Sequence, residues 1–211
     1  PIRYFLYSKS SGNRIRQVFH LKNLCDFVDS NINQYDLVLE IGGGYGNMAR
    51  LFNKINKNTK FIIYDTEEVN LLQYYYLKMN KIKVSFSFKK NSEVYLVNNV
   101  LNLKSVLSKL RINDNKKNLL ISNWGLSEMP LLLREKLKFA ILLFDYQLIS
   151  FQNKFENINN CLYFKKLIKK IEQKSDIKST FREIATMSRA LSFARAKHSY
   201  LLIKKNKKQL L

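Results

Sequence analysis

Along the 211-residue chain, short apolar runs alternate with longer segments whose apolar positions recur every three to four residues. The runs "YDLVLEI", "KFIIYD", "KVSFSF", "NLLIS", "YQLISF" and "HSYLLIKK" have the length and β-branched or aromatic content of buried strands. They predict strands over 35–41, 60–64, 83–88, 118–122, 146–151 and 198–205. The helical period predicts helices over 14–28, 47–55, 67–80, 131–143 and 163–173. The stretch "VYLVNNVLNLKSVLSKL" fits neither period throughout and is read as ending in a helix. Strands alternating with helices predict an α/β fold, a mostly parallel sheet covered on both faces. Right-handed crossovers then bring the loops at the strand C-termini to one edge, where such folds bind ligands.

Three segments follow strands and are therefore expected at that edge: the turn in "LVLEIGGGYGNMARLF", Asp65, and "SNWGLSEM". The chain holds six glycines, and three stand together at Gly42, Gly43 and Gly44. The dinucleotide fingerprint G-x-G-x-x-G would need glycine at position 47, which is Asn47, so that motif fails where helix and strand must pack closely. A phosphate-cradling G-K-[ST] ending is also missing. What the stretch does fit is E-x-G-x-G-x-G, carried by Glu40, Gly42, Gly44 and Gly46. Glycine suits a tight turn whose backbone lies against a ligand, and a Cβ at Gly42 or Gly44 is expected to block that approach. The second strand delivers Asp65, 19 residues beyond Gly46, and a carboxylate there can accept both hydroxyl hydrogens of a ribose. An acid and glycine turn after one strand, with an acid after the next, is the arrangement of the class I methyltransferases that bind S-adenosylmethionine.

Three motifs narrow the reading. "LEIGGGYGNMARL", "DTEEVNLLQYYYL" and "ISNWGLSEMP" resemble, in the same order, those of the bacterial sugar O-methyltransferases, over about Leu37 to Asn153. The second departs from the D-L-P-E-T pattern of that family at Thr66 and Glu67 but keeps Asp65 and Glu68. The resemblance implies a Rossmann-like seven-stranded sheet with an antiparallel last strand, S-adenosylmethionine as donor (S-adenosylhomocysteine as product) and a sugar or glycan-precursor hydroxyl as acceptor. The expected organisation is a single domain, with a leading helical segment over 1–30 covering the cofactor site of a catalytic domain over 31–211. In that frame Glu40, Gly42, Gly43, Gly44, Gly46, Asp65 and Asn123 are the cofactor-binding set, with Glu40 near the methionine moiety and Asp65 on the ribose.

Methyl transfer from a sulfonium leaves the protein two tasks, to position the acceptor oxygen and to remove its proton. Glu128 and His20 are the candidates for the proton. Glu128 follows the fourth strand near Trp124 and Ser127, where Trp124 offers a face for a sugar ring and Ser127 a hydroxyl. "SEMP" could equally organise the start of the next helix. Arg16 and His20 are four residues apart on one helical face, so Arg16 could meet a carboxylate and His20 an acceptor hydroxyl. His198, at the start of the last strand, is a further candidate. Two histidines far apart give no metal-ligand spacing, and no metal is expected. The run "QYYYL" from Gln73 reads as helix packing.

The net charge of +21 adds a second possibility. From Cys161 onward there are 14 Lys/Arg against 3 Asp/Glu, which suits an anionic partner. Yet the N/D-P-P-Y stretch of base-amino methyltransferases is replaced by Ser122-Asn123-Trp124-Gly125, and neither Cys25 nor Cys161 follows a proline. A nucleic-acid methyltransferase is thus the alternative to a small-molecule or glycan acceptor, and a non-catalytic binding module a further one. No apolar run approaches about 18 residues and no signal peptide is visible. Two distant cysteines fit reduced core thiols in the cytoplasm.

Overall fold

The computed structural model describes residues 3–4, 7–110, 116–173, 176–184 and 198–206. A small antiparallel pair, β1 (Arg3–Tyr4) and β2 (Tyr7–Ser11), opens the chain. Next come α1 (Gly12–Val28), β3 (Leu37–Ile41), α2 (Asn47–Ile55), β4 (Lys60–Tyr64), α3 (Glu67–Met79), β5 (Val84–Ser85), β6 (Val94–Val97) and α4 (Val100–Leu110). The second half holds β7 (Asn118–Asn123), α5 (Gly125–Glu128), α6 (Leu131–Leu143), β8 (Tyr146–Gln152), the short pair β9 (Lys154–Phe155) and β10 (Ile158–Asn159), α7 (Asn160–Glu172), β11 (Ile177–Ile184) and β12 (His198–Lys205).

The main sheet has eight strands in the order β11-β12-β8-β7-β3-β4-β6-β5. From β8 to β5 every pairing is parallel, while β12 runs antiparallel to both β8 and β11. This is the Rossmann-like methyltransferase fold, with one strand more than expected. The strand expected over 83–88 shrinks to Val84–Ser85, because Ser85 Oγ donates to the carbonyl of Ser87 and the chain turns away. The ambiguous stretch resolves into β6 and α4. β11, "IKSTFREI", has mixed polar content and was not legible as a strand; it adds to the free edge of β12.

The period-2 alternation of the strands decides which polar groups can meet. Leu37, Leu39 and Ile41 join one core layer with side chains of α4, α6 and α7; Val38 joins the other, with Leu24 of α1, Phe52 of α2 and Leu77 of α3. Glu40 shares the parity of Val38, so it points toward α1. Asn123 has the parity of Leu119 and Ile121, and His198 that of Tyr200 and Leu202; all four of these apolar residues lie in the α1 layer. The ends of β3, β7 and β12 therefore present polar side chains beneath α1.

α1 begins at Ser11, whose Oγ accepts from the Arg14 N–H at 3.3 Å. Its last carbonyls, those of Phe27 and Val28, accept from Lys178 and Lys204 of the terminal hairpin at 3.5 and 3.4 Å. Cations there complement the negative end of the helix. On the opposite layer, fully buried Arg134 ties the loop after β7 in place. It donates to the carbonyls of Met129 (2.8 Å) and Ser127 (2.7 Å) and to Oδ1 of Asn160 (2.8 Å). Cys25 and Cys161 form no disulfide and are half-buried rather than deep in the core. Among the described residues, no helix is long and apolar enough to cross a membrane.

Candidate functional site

The glycine turn connects the C-terminus of β3 to α2, and each glycine answers a different constraint. Gly42 donates to the carbonyl of Tyr64 at 2.9 Å and has φ +77°. A Cβ there would stand 2.6 Å from Cα of Gly125, and a Cβ on Gly125 would stand 2.3 Å from the carbonyl oxygen of Ile41. Side chains on either residue are excluded by protein backbone, not by a ligand as the sequence suggested for Gly42. At Gly43 the obstacle is Cγ2 of Ile63, 2.5 Å from a Cβ. Gly44 has φ +54° and open space where a Cβ would project, so it is the glycine with room for something else. Gly46, at φ +88°, caps the start of α2.

Asp65 ends β4. Its Oδ1 accepts from the N–H of Thr66 (3.0 Å) and its Oδ2 from Nε2 of Gln73 (2.9 Å). Gln73, fully buried on α3, also donates to the carbonyl of Gly44 at 2.8 Å. It therefore braces the acid against the turn, a role hidden in the sequence because "QYYYL" looks like packing. Burial raises the pKa of Asp65, opposed by hydrogen bonds from Thr66, Gln73, Gly43 and Gly44. Glu40 is more deeply held: burial, then the nearby Asp65 charge, pushes its pKa up to about 8. Its Oε2 has no hydrogen-bond partner.

Beside the turn lies a cavity of about 130 Å³ whose wall includes Glu40, Gly42, Gly43, Gly44, Asn123 and Trp124. α1 closes it with Asn13, Arg16, Gln17 and His20, and Tyr45 completes the lining. Four lining residues carry buried polar atoms without a partner: His20 Nε2, Glu40 Oε2, the Tyr45 hydroxyl and Asn123 Nδ2. Orphaned polar groups each cost of the order of 1–3 kcal/mol, and four of them around one cavity are groups that a polar ligand could satisfy. Asn13, Gln17 and Tyr45 had no distinguishing signal in the sequence beyond their nearness to the motifs.

An aromatic and cationic group stands at one end. Trp124, itself at φ +67°, has the Arg16 guanidinium 5.2 Å above its ring. Its Nε1–H donates to Nδ1 of His198 at 3.3 Å. His20 Nδ1 pairs with the hydroxyl of Tyr200. Burial, Arg16 and His198, in that order, push the His20 pKa down to about 4, which keeps the ring neutral at neutral pH. Tyr200 was missed in the sequence because it reads as one more apolar position of the last strand.

Other expected residues lie elsewhere. Glu128 is exposed, accepts from Nε2 of Gln152 at 3.2 Å and does not line the cavity. Ser127 is buried outside it, its Oγ donating to the carbonyl of Trp124 at 2.8 Å. The start of α6 is no capping box either, since Pro130 stands at its N-cap without a side-chain bond. Among the described residues, no group of three or more His, Cys, Asp and Glu is placed to hold a metal.

No family model matches the sequence, and no curated protein matches it. Solved structures match its fold. The methyltransferase domain of bacterial CtHen1-CN is 12% identical with a TM-score of 0.57, over 91% of this chain and 98% of its own. The O-methyltransferase TomG from Streptomyces achromogenes, involved in tomaymycin synthesis and solved in complex with SAM, is 11% identical with a TM-score of 0.57, over 94% and 82%. An rRNA methylase from Streptococcus thermophilus is 12% identical with a TM-score of 0.53, over 92% and 96%. The chain thus has the Rossmann-like fold of these methyltransferases. The structures that share the fold include both an rRNA methylase and an O-methyltransferase of tomaymycin synthesis.

The two glycine constraints separate in a stability measurement. Gly42→Ala is expected to lose about 2–4 kcal/mol, from backbone overlap and a disfavoured φ. Gly44→Ala should lose only about 1–2 kcal/mol, from its φ alone. Urea unfolding of both variants checks this, and equal losses would refute the Gly42–Gly125 contact.

Proposed function

We propose that this chain is an S-adenosylmethionine-dependent O-methyltransferase acting on a hydroxyl of a sugar or glycan precursor in the cytoplasm. The observation that carries the reading is the cavity at the glycine turn, with its orphaned carboxyl, amide, phenol and imidazole groups. The chemistry fits a ligand with a cationic end. Glu40, held protonated in the dry site, becomes a favourable carboxylate once a positive charge lies beside it. At about 130 Å³ the cavity is smaller than the roughly 300–1,000 Å³ usual for small-molecule sites. It takes one end of such a cofactor, and Asp65, braced by Gln73 beyond the lining, is the ribose acceptor. Gly44 is where the turn comes against the cofactor, with Asn123 beside it. Within the leading segment over 1–30, α1 serves as the cover of this site, residues 1, 2, 5 and 6 lying outside the described residues.

Bound S-adenosylmethionine supplies an activated methyl group. The chain's own work is to orient the acceptor and receive its proton. Trp124 offers a ring face to a sugar, and Arg16 holds a carboxylate or phosphate of the acceptor. His20, neutral and with Nε2 unpartnered, is the base, and Tyr200 fixes its ring through Nδ1. The exposed Glu128, outside the lining, is set aside. The charge of +21 favours RNA as the second acceptor class, and an acceptor screen should therefore hold nucleotide sugars and RNA side by side.

Calorimetric titration of S-adenosylmethionine, S-adenosylhomocysteine and NAD tests the cofactor. Micromolar binding of both sulfur compounds and none of NAD is expected, with Asp65→Ala weakening it at least tenfold, roughly the value of a charged hydrogen bond. Binding of NAD alone would contradict the proposal. Between pH 4.5 and about 8, native Glu40 holds a proton that the unfolded chain lacks, so this group's contribution to stability falls as pH rises through that window. A cationic ligand displaces that proton. Titration at pH 7 in buffers of different ionisation enthalpy should show proton release, lost in Glu40→Gln. On an accepted substrate, His20→Ala should lower turnover about 10²–10⁴-fold with cofactor affinity unchanged; full turnover would remove His20 as the base.

A further inference from the structure

The second half of α1 packs Leu21, Leu24, Phe27 and Val28 into the core, whereas its first turns leave apolar side chains in water. In those turns Asn13, Arg16, Gln17 and His20 line the cavity, Asn13 and Arg16 at its exposed side. Roughly opposite, Ile15, Val18 and Phe19 are exposed at 41%, 53% and 49%. Over these first turns the exposed face is more apolar than a surface helix resting on a soluble core usually presents.

The charge around it is of one sign. A groove of about 400 Å³ runs between α1 and α2, with Ile15, Val18 and Leu51 on its apolar wall and Arg14, Arg50 and Lys54 around them. No acidic residue lines it, and α2 contains none. In α1 the first acid is Asp26, which pairs with Lys22. Arg14 Nε is buried there without a partner.

We propose that the outer face of α1 and this groove dock onto an anionic membrane surface. Ile15, Val18 and Phe19 enter the acyl boundary, and Arg14, Arg50 and Lys54 meet lipid phosphates. Interfacial helices bind through this combination of apolar area and basic charge, and the +21 net charge draws the whole molecule toward such a surface. A nucleic-acid backbone would satisfy the cations but leave the aliphatic side chains without an apolar phase. The inference stands apart from the catalytic reading, because it uses the opposite face of the helix.

Co-sedimentation of the full chain with vesicles tests it, using phosphatidylcholine alone and phosphatidylcholine mixed with phosphatidylglycerol. Binding to the mixed vesicles should be roughly tenfold tighter or more and should weaken with salt. Val18→Glu and Phe19→Glu should each lose most of it. Leu72→Glu, at a similarly exposed apolar position on α3 (53%), should retain it. Equal binding to both vesicles, or undiminished binding by the α1 variants, would overturn the proposal. So would variant-sensitive binding of a single-stranded RNA homopolymer without vesicle binding, which would make this a nucleic-acid surface.

Discussion

The site depends on one close approach of backbone to backbone, Gly42 against Gly125. With a Cβ on Gly42 held to 2.6 Å from Cα of Gly125, neither residue has a substitute. The contact joins the turn after β3 to the loop after β7, across the point where the chain stops building one half of the sheet and begins the other. Ligands bind parallel α/β sheets in that crevice. Because Gly125 follows Trp124 directly, the same contact brings the indole and Asn123 to the cavity wall. Behind them, Arg134 holds the carbonyls of Ser127 and Met129, so the loop keeps its course.

A second constraint is the parity of the strands. It sends Glu40, Asn123, His198 and Tyr200 to the one face that α1 covers. The result is a buried carboxyl whose Oε2 has no hydrogen-bond partner among the described residues and a buried imidazole kept neutral. Both costs persist because the surrounding core, from Leu24 and Phe52 to Leu148 and Leu202, holds these positions. Four unpartnered buried polar atoms belong to residues lining this cavity, while others, such as those of Tyr35, Asn70, Gln147 and Tyr163, are spread through the described residues. α1 is the hinge of the account, since its inner face completes the cavity while its outer face leaves apolar side chains in water.

Much of the fold was legible because long, strongly periodic elements carry it. α2, β4, α6 and β12 fall at the expected residues, and the glycine turn and Asp65 stand at strand ends as read. What escaped notice depended on contacts between distant residues. β11 has no apolar alternation of its own and exists by pairing with β12. Gly125 looked like one residue of a polar loop, although the backbone it touches is 83 positions away. Gln73 was hidden in an aromatic run, and Tyr200 in an apolar strand. Glu128 was the opposite case: its place after the fourth strand suggested the site, but the single turn of α5 carries its side chain out to solvent.

Binding of S-adenosylmethionine in the cavity at the glycine turn is the proposal that the rest of the mechanism needs. Trp124 is the only tryptophan in the chain and lines that cavity, so its fluorescence reports directly on occupancy. Titration with S-adenosylhomocysteine should produce a saturable change in tryptophan emission at micromolar ligand. An unchanged spectrum over the same range, with no ligand retained in equilibrium dialysis, would contradict the account.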